Sequence, residues 1–264
     1  MIDFFETLLV TLDSNRMLAT VTLNRPNTKN AMNFKMVEEL HTVFMGLRGN
    51  RSIRAILLSG AGNTFCAGGD VKEMRENAVP FQSDRVDLDQ MLRACNTADQ
   101  IVISKVEGAA LGGGFGLVCV SDIAIASTNA QFGLPEVRLG VSPAFISPFV
   151  IERLGLTRAR ELMLTGRRFN GELAEKYGLV HQSCAPEFLE DAVDNVLKDI
   201  QQCAPNAIAA TKSLIFEVKD KPLDDTIAYR ANLLNTLRGS EEAQEGFLAF
   251  MQKRSAKWAT GAAS

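Results

Sequence analysis

Three short segments carry residue types that could bind an anion and move a proton. In residues 65–72 (FCAGGDVK), small side chains would let a ligand approach backbone N–H groups between a buried strand and the start of a helix. In residues 108–117, three consecutive glycines precede an apolar helical run, where free N–H groups and the helix dipole would stabilise negative charge. Each segment also has a plainer interpretation, an ordinary tight turn or close packing of two elements. Three glycines in a helix cost about 1 kcal/mol each against alanine, which suggests a requirement for them.

The third segment, residues 131–140, supplies a carboxylate. Glu136 follows Pro135 in an apolar setting. A carboxyl group buried there would have a raised pKa and could serve as a general acid or base. Spacing alone favours the plainer interpretation, in which Glu136 is exposed on a loop or paired with Arg138.

Composition restricts the class of protein. The 264 residues suit one large domain, or a core with a smaller appendage, and the net charge of -3 gives no pull towards nucleic acid or an anionic membrane. Five widely spaced cysteines without a C-x-x-C pair favour reduced thiols in a cytosol-like compartment. The acidic N-terminus is unlike a secretory signal, and no apolar run is long enough to span a bilayer. Two histidines leave little material for a histidine metal site or a Ser-His triad.

The elements that position these segments alternate between strand and helix. Strands are predicted at 8–11, 18–23, 54–58, 101–106 and 123–126. Asn33 is predicted to cap a helix whose apolar residues recur at helical spacing up to Leu47. A polar helical stretch is predicted to run to about residue 98. This alternation indicates an α/β core with largely parallel strands.

A short strand is predicted at 179–181. From about residue 186 onwards the sequence is predicted to be helical. The predicted helices are 187–201, 207–218, 224–237 and 241–253, with Ser240 capping the last. The chain is therefore divided into an α/β core, residues 1–200, and a helical tail, residues 201–264.

Taken together, the segments resemble the enoyl-CoA hydratase/isomerase (crotonase) superfamily in order and spacing. The resemblance covers nearly the whole chain and extends to the stretches NRP (24–26), NAMN (30–33), SDI (121–123), ARELMLTG (159–166), YGLV (177–180) and FMQKR (250–254).

The resemblance implies an α/β fold with a spiral core of ββα turns and a C-terminal helical trimerisation region. It maps two oxyanion-hole N–H groups to Gly69 and Gly113 and an acid/base to Glu136. Coenzyme A contacts map to Arg25, Lys29, Ala31, Ala67, Lys72 and Lys253. No metal or redox cofactor is expected, because coenzyme A arrives as part of the substrate.

The sequence departs from the hydratase pattern at two places. Gly116 stands where hydratases of the family usually carry a second catalytic glutamate, and we expect this glycine to open space beside the reacting carbons. Residues 141–149, VSPAFISPF, replace a glycine-rich run, so Phe145 and Ile146 are expected to line the pocket. These features are similar to the branch that hydrates 3-methylglutaconyl-CoA in leucine breakdown, and more similar to its relative acting on isohexenylglutaconyl-CoA in terpene breakdown. Arg138 is the cation nearest in sequence for a distal carboxylate.

The expected function is hydration of a 3-branched glutaconyl-CoA by a cytoplasmic homotrimer or hexamer that binds neither nucleic acid nor membrane. The nearest alternative is a Δ3,Δ2-enoyl-CoA isomerase, in which Glu136 carries a proton between C2 and C4. A mixed hydratase/isomerase and a decarboxylase of glutaconyl-type acids also remain open. An alternative of another class is a non-catalytic coenzyme A or RNA binder, against which the retained Glu136 argues.

Overall fold

The computed structural model describes residues 4–76 and 85–259 and has a mixed α/β fold. Six strands form the main sheet and three short strands form a second one. The main-sheet strands are β1 (Leu8–Asp13), β2 (Leu18–Leu23), β3 (Ala55–Gly60), β4 (Ile101–Val106), β6 (Ile123–Ser127) and β9 (Gln182–Cys184). The second sheet contains β5 (Ala109–Leu111), β7 (Gln131–Gly133) and β8 (Arg168–Asn170).

The main sheet has the order β1-β2-β3-β4-β6-β9 and is parallel except for the antiparallel β1–β2 hairpin. The hairpin turn is held by the Asp13 carboxylate, which accepts hydrogen bonds from the N–H groups of Asn15 and Arg16. In the second sheet β7 pairs in parallel with β5 and antiparallel with β8. The alternation of strands and helices therefore produces the largely parallel sheet that the sequence indicated.

Ten α-helices occur among the described residues. They are α1 (Phe34–Leu47), α2 (Val71–Glu76), α3 (Leu88–Asn96), α4 (Gly113–Val120), α5 (Ser147–Thr165), α6 (Gly171–Lys176), α7 (Leu189–Gln201), α8 (Pro205–Val218), α9 (Ile227–Arg238) and α10 (Glu241–Met251). Asn33 caps α1 as predicted, because its side chain accepts the Met36 N–H at 3.0 Å. The apolar stripe of α1 is buried along its length, which packs the helix against the core.

Several predicted boundaries are wrong. The strand expected at 179–181 lies at Gln182–Cys184, because the N–H groups of Leu179 and Val180 donate to the Ala174 carbonyl of α6 instead of to a neighbouring strand. The polar helical stretch is not continuous, because residues 85–87 lie outside any helix before α3 begins at Leu88, and residues 77–84 of the prediction lie outside the described residues. The strands β5, β7 and β8 were not predicted as such.

The helical tail is tied to the core by buried polar contacts. Lys212 of α8 is only 6% exposed, and its Nζ donates to the Asp122 carboxylate at 2.6 Å and to the Gln100 carbonyl at 3.0 Å. Arg54, at the start of β3, donates to the carbonyls of Gln201 and Trp258. The division of the chain near residue 200 stays a prediction. Among the described helices, none combines the length and apolar character needed to cross a membrane.

Candidate active site

The first two glycine-containing segments lie side by side. Cys66 forms an isolated parallel bridge with Ala110. The Cys66 N–H donates to the Ala109 carbonyl at 2.8 Å, and the Leu111 N–H donates back to Cys66 at 3.0 Å. Strand β5 therefore holds the turn after Cys66 next to the start of α4.

The third segment joins them through the second sheet. Strand β7 pairs with β5, and the Gly112 N–H donates to the Gly133 carbonyl at 3.0 Å. Leu134 then leads into a 3-10 helix, Pro135–Leu139, whose first turn contains Glu136. The three segments that are far apart in the sequence thus meet at one place.

Two glycines have backbone conformations that this meeting requires. Gly68 has φ +107° and Gly112 has φ +49°, both in the region that favours glycine. A Cβ on Gly112 would lie 2.9 Å from Glu136 Oε1 and 3.7 Å from the Cα of Gly68. A side chain at position 112 would therefore displace the Glu136 carboxylate, and it would touch the turn at Gly68 at ordinary contact distance.

Two N–H groups remain available beside this carboxylate. Gly113 is the first residue of α4, so its N–H has no acceptor within the helix. Gly69 forms a parallel bridge with Met32, but the hydrogen bonds of this bridge are made by the residues on either side of Gly69. The Met32 N–H donates to the Gly68 carbonyl at 2.7 Å, and the Asp70 N–H donates to the Met32 carbonyl at 2.8 Å. In such a parallel bridge the N–H of the central residue, Gly69, points away from the partner strand.

Glu136 is half-buried, and its Oε2 atom is buried without a hydrogen-bond partner among the described residues. Burial raises the pKa of this carboxyl group, while the backbone N–H of Glu136 itself opposes the shift. A carboxylate with an unused oxygen and a raised pKa can accept and return a proton near neutral pH. Arg138 does not neutralise it: its Nε donates to the Thr165 carbonyl at 3.1 Å, at the end of α5.

Cys66 is the thiol nearest these turns, and its environment keeps it unreactive. It is fully buried, and its Sγ donates to the Gly68 carbonyl at 3.7 Å. Burial raises the pKa of this thiol to about 12, although its hydrogen bonds with the backbone of Gly68 and Met32 oppose the shift. The thiol is therefore protonated at neutral pH, which leaves Glu136 to move protons.

The expectation that Gly116 opens space is wrong. A Cβ on Gly116 would lie 2.6 Å from Ile146 Cγ2 and 3.6 Å from Leu92 Cδ1. Ile146 is 2% exposed and fills this position, whereas its neighbour Phe145 is 44% exposed. At position 116 the wall beside α4 is therefore apolar and closed, and the described residues that a side chain there would meet are Ile146 and Leu92.

The residues mapped to coenzyme A contacts cluster only in part. The loop after β2 touches the first glycine turn, since the Ala67 N–H donates to the Lys29 carbonyl at 3.0 Å and Ala31 adjoins Met32. Lys29 and Lys72 are exposed and can reach an anionic ligand. Arg25 instead turns inwards to Asp70. Lys253 lies exposed just beyond α10.

Three apolar residues beside the N–H groups were missed. A Cβ on Gly113 would lie 2.4 Å from Met32 Cε and 3.9 Å from Leu88 Cδ2. A Cβ on Gly69 would lie 3.0 Å from Met74 Sδ. Met32 lies in the NAMN stretch and could have been suspected, but nothing in the sequence pattern singled out Leu88 or Met74.

Chemically, this arrangement can polarise a carbonyl oxygen with two N–H groups and move a proton with one carboxylate. Residues 13–261 match the family model described as enoyl-CoA hydratase/isomerase. The chain is 31% identical to the short-chain-enoyl-CoA hydratase of Clostridium acetobutylicum, covering 93% of this chain and 95% of that protein. It is 32% identical to the (E)-benzylidenesuccinyl-CoA hydratase of Thauera aromatica, covering 93% and 96%.

Solved structures agree with these relatives. Pseudomonas aeruginosa AtuE superimposes with a TM-score of 0.92 at 44% identity, and the match covers 97% of this chain and 100% of the AtuE chain. An enoyl-CoA hydratase/isomerase from Marinobacter aquaeolei gives 0.91 at 42% identity, covering 96% and 99%. The chain belongs to the enoyl-CoA hydratase/isomerase family, and the predicted α/β crotonase-like fold is confirmed, whereas a trimerisation role for the C-terminal helices stays a prediction.

Proposed function

We propose that this enzyme hydrates the C2=C3 double bond of a 3-branched glutaconyl-type acyl-CoA, with Glu136 as its only acid/base. The observation that carries the proposal is the half-buried carboxylate of Glu136 beside two available N–H groups, with an Oε2 that has no partner among the described residues. The apolar contact of Gly116 with Ile146 replaces any second carboxylate.

The reaction needs two functions from these residues. The N–H groups of Gly69 and Gly113 bind the thioester oxygen and stabilise the negative charge that develops when water attacks C3. Glu136 takes a proton from the attacking water and delivers it to C2, so one carboxylate serves both steps in turn. Water adds across the double bond, and the enzyme returns to its starting protonation state.

The apolar wall favours a substrate that carries its own negative charge. A carboxylate at position 116 would repel the distal carboxylate of a glutaconyl group at short range, whereas Gly116 and Ile146 do not. The relative from Thauera aromatica is named for a substituted succinyl-CoA, an acyl group with a second carboxylate. We expect isohexenylglutaconyl-CoA or 3-methylglutaconyl-CoA to be the substrate. Arg138 remains available for the distal carboxylate only if it leaves Thr165.

A panel of thioesters tests the proposal. The enzyme is incubated with crotonyl-CoA, 3-methylglutaconyl-CoA and isohexenylglutaconyl-CoA, and the products are read by mass. Gain of one water marks hydration, and an unchanged mass with a moved double bond marks isomerisation. We expect hydration, with kcat/KM for a branched substrate at least roughly 10-fold above that for crotonyl-CoA, or about 1.4 kcal/mol of transition-state binding. Preference for crotonyl-CoA contradicts the branched substrate, and isomerisation alone contradicts hydration.

The specific observation that favours isomerisation is the same single carboxylate. If no product gains water, Glu136 moves a proton between C2 and C4, and the two N–H groups hold the same enolate. Solvent deuterium then separates the two reactions, because isomerisation by one carboxylate transfers substrate hydrogen from C4 to C2 in part without exchange.

A homotrimer or hexamer forms part of the proposal. Large apolar side chains of the tail are exposed in the single chain, and their burial against further copies would remove apolar surface from water. They are Ile215, Leu223, Ile227, Leu234, Phe247, Phe250 and Met251.

A further inference from the structure

Arg25 makes internal contacts. Its Nη1 donates to the Ala31 carbonyl at 2.6 Å and to Asp70 Oδ2 at 3.0 Å. The two side chains are 22% and 18% exposed. The guanidinium therefore links the loop after β2 to the residue that directly follows Gly69.

Asp70 is held from several directions. Its backbone N–H donates to the Met32 carbonyl at 2.8 Å, and its Oδ1 accepts the Glu73 N–H at 3.4 Å in the first turn of α2. Burial opposes ionisation of this carboxyl group, but the hydrogen bond and charge of Arg25 and the nearby backbone N–H groups lower its pKa. Asp70 therefore stays charged while Glu136, whose pKa is raised, titrates.

The turn needs such restraint because of its sequence. Gly68 and Gly69 are consecutive glycines, the residues with the greatest backbone freedom. An oxyanion donor acts only when its N–H is held about 2.7–3.1 Å from the place where charge develops. The bonds to Met32 fix the peptides on either side of Gly69, and the Arg25–Asp70 pair fixes the residue that follows.

We propose that Arg25 and Asp70 are a positioning pair that fixes the direction of the Gly69 N–H, and that Arg25 is not a contact for coenzyme A. The proposal rests on the oxyanion role of Gly69 in the proposed function, but not on which acyl group is the substrate.

The test separates positioning from coenzyme A binding. Arg25→Met and Asp70→Asn are each expected to lower kcat at least roughly 10-fold, because small displacements of catalytic donors cost this much or more. KM for the thioester and inhibition by free coenzyme A are expected to stay within about 2-fold of wild type, since binding contacts are unchanged. The double variant is expected to have a kcat no lower than that of the less active single variant, because both substitutions break the same ion pair.

A spectroscopic readout does not depend on turnover. An enoyl-CoA whose acyl chain carries a conjugated electron donor absorbs at longer wavelength when its carbonyl oxygen is polarised. Wild-type enzyme and Glu136→Gln are expected to shift the absorption of the bound probe to the red, and Arg25→Met and Asp70→Asn to shift it less.

The Arg51–Asp99 pair provides a matched control. Its Nη1–Oδ2 distance is 2.7 Å, and Asp99 also accepts a backbone N–H, from Gly49. Arg51→Met and Asp99→Asn are expected to leave kcat and the probe spectrum unchanged. Equal losses in this pair would make the effect one of general stability and overturn the positioning role.

Two other outcomes overturn the proposal in distinguishable ways. A raised KM and weaker inhibition by coenzyme A in Arg25→Met, with kcat and the red shift retained, would make Arg25 a coenzyme A contact. Absence of a red shift in the wild-type enzyme would remove the oxyanion role of Gly69 itself, and with it both proposals.

Discussion

The contact between Gly116 and Ile146 gives the sharpest test of the site. A Cβ added to Gly116 would lie 2.6 Å from Ile146 Cγ2 and 3.3 Å from its Cβ, in a region that is fully buried. Gly46, in α1, is also helical, but a Cβ there meets nothing within 4 Å. The two glycines are thus a matched pair for the same substitution.

Alanine is expected to change the stability of the protein in opposite directions at the two glycines. Gly46→Ala should stabilise the protein by up to about 1 kcal/mol, the helix propensity difference between glycine and alanine. Gly116→Ala gains the same propensity but forces Ile146 or α4 to move, and overpacking of a core costs about 1–3 kcal/mol. Ile146→Ala alone should cost about 2–5 kcal/mol. In the double variant the new Cβ partly fills the cavity, so we expect a favourable coupling of about 1–3 kcal/mol.

The assay combines denaturation with kinetics. Urea unfolding of each variant gives the free energies for the double-mutant cycle. The same cycle with glutamate at position 116 is then assayed on crotonyl-CoA. Gly116→Glu alone should lose stability and gain no activity, because the carboxylate has no room. Gly116→Glu with Ile146→Ala should hydrate crotonyl-CoA faster than Ile146→Ala does.

Two results would refute this reasoning. If Gly116→Ala is as stable as Gly46→Ala, Ile146 does not occupy the position as described. If Gly116→Glu alone raises crotonyl-CoA hydration without loss of stability, the wall beside α4 is open.

Three further predictions test other parts of the molecule. Glu136→Gln should lower kcat at least roughly 100-fold with coenzyme A binding intact, and wild-type turnover would exclude Glu136 as the base. Lys212→Met should lower the free energy of unfolding by at least about 2 kcal/mol, because it leaves the Asp122 carboxylate without its cation. As a control, Lys219→Met breaks the exposed ion pair with Glu152 and should cost at most about 1 kcal/mol. Urea unfolding measures both. Light scattering should show a trimer or hexamer, and a stable monomer at micromolar concentration contradicts this.

Local sequence patterns predicted the elements that form through local interactions. The Asn33 cap, the buried stripe of α1 and the Ser240 cap of α10 all depend on residues within a few positions of each other. They are confirmed. The short strands of the second sheet could not be found in this way, because a three-residue strand has too few positions for a pattern of alternation.

The site was predictable in its parts but not in its packing. Gly69, Gly113 and Glu136 were assigned through the resemblance, and the structure brings their segments together. The contact of Gly116 with Ile146 joins residues 30 positions apart, one in α4 and the other in the turn before α5, so no local pattern reports it. The inward turn of Arg25 was missed for the same reason, since it depends on the distant Asp70. The cytosol-like compartment and the absence of a redox cofactor stay predictions.

The pH dependence of the reaction follows from the isolation of Glu136. Burial raises the pKa of this carboxyl group and its own backbone N–H opposes the shift, with no contribution from a charge among the described residues. The carboxylate is the active form, so kcat/KM should reach its maximum above the raised pKa and fall as the pH drops through this pKa. The midpoint should lie above the ordinary glutamate value of about 4.3, with the slope of a single proton.

The same shift affects stability with the opposite trend. The native protein binds this proton more tightly than the unfolded chain, so the stability it contributes is lost as the pH rises from the ordinary pKa through the raised one. Glu136→Gln removes that loss and should be the more stable protein above the raised pKa. A second carboxylate introduced by Gly116→Glu with Ile146→Ala would couple to Glu136 and broaden the titration into two steps. A wild-type profile that already shows two coupled protons would contradict the single-carboxylate site.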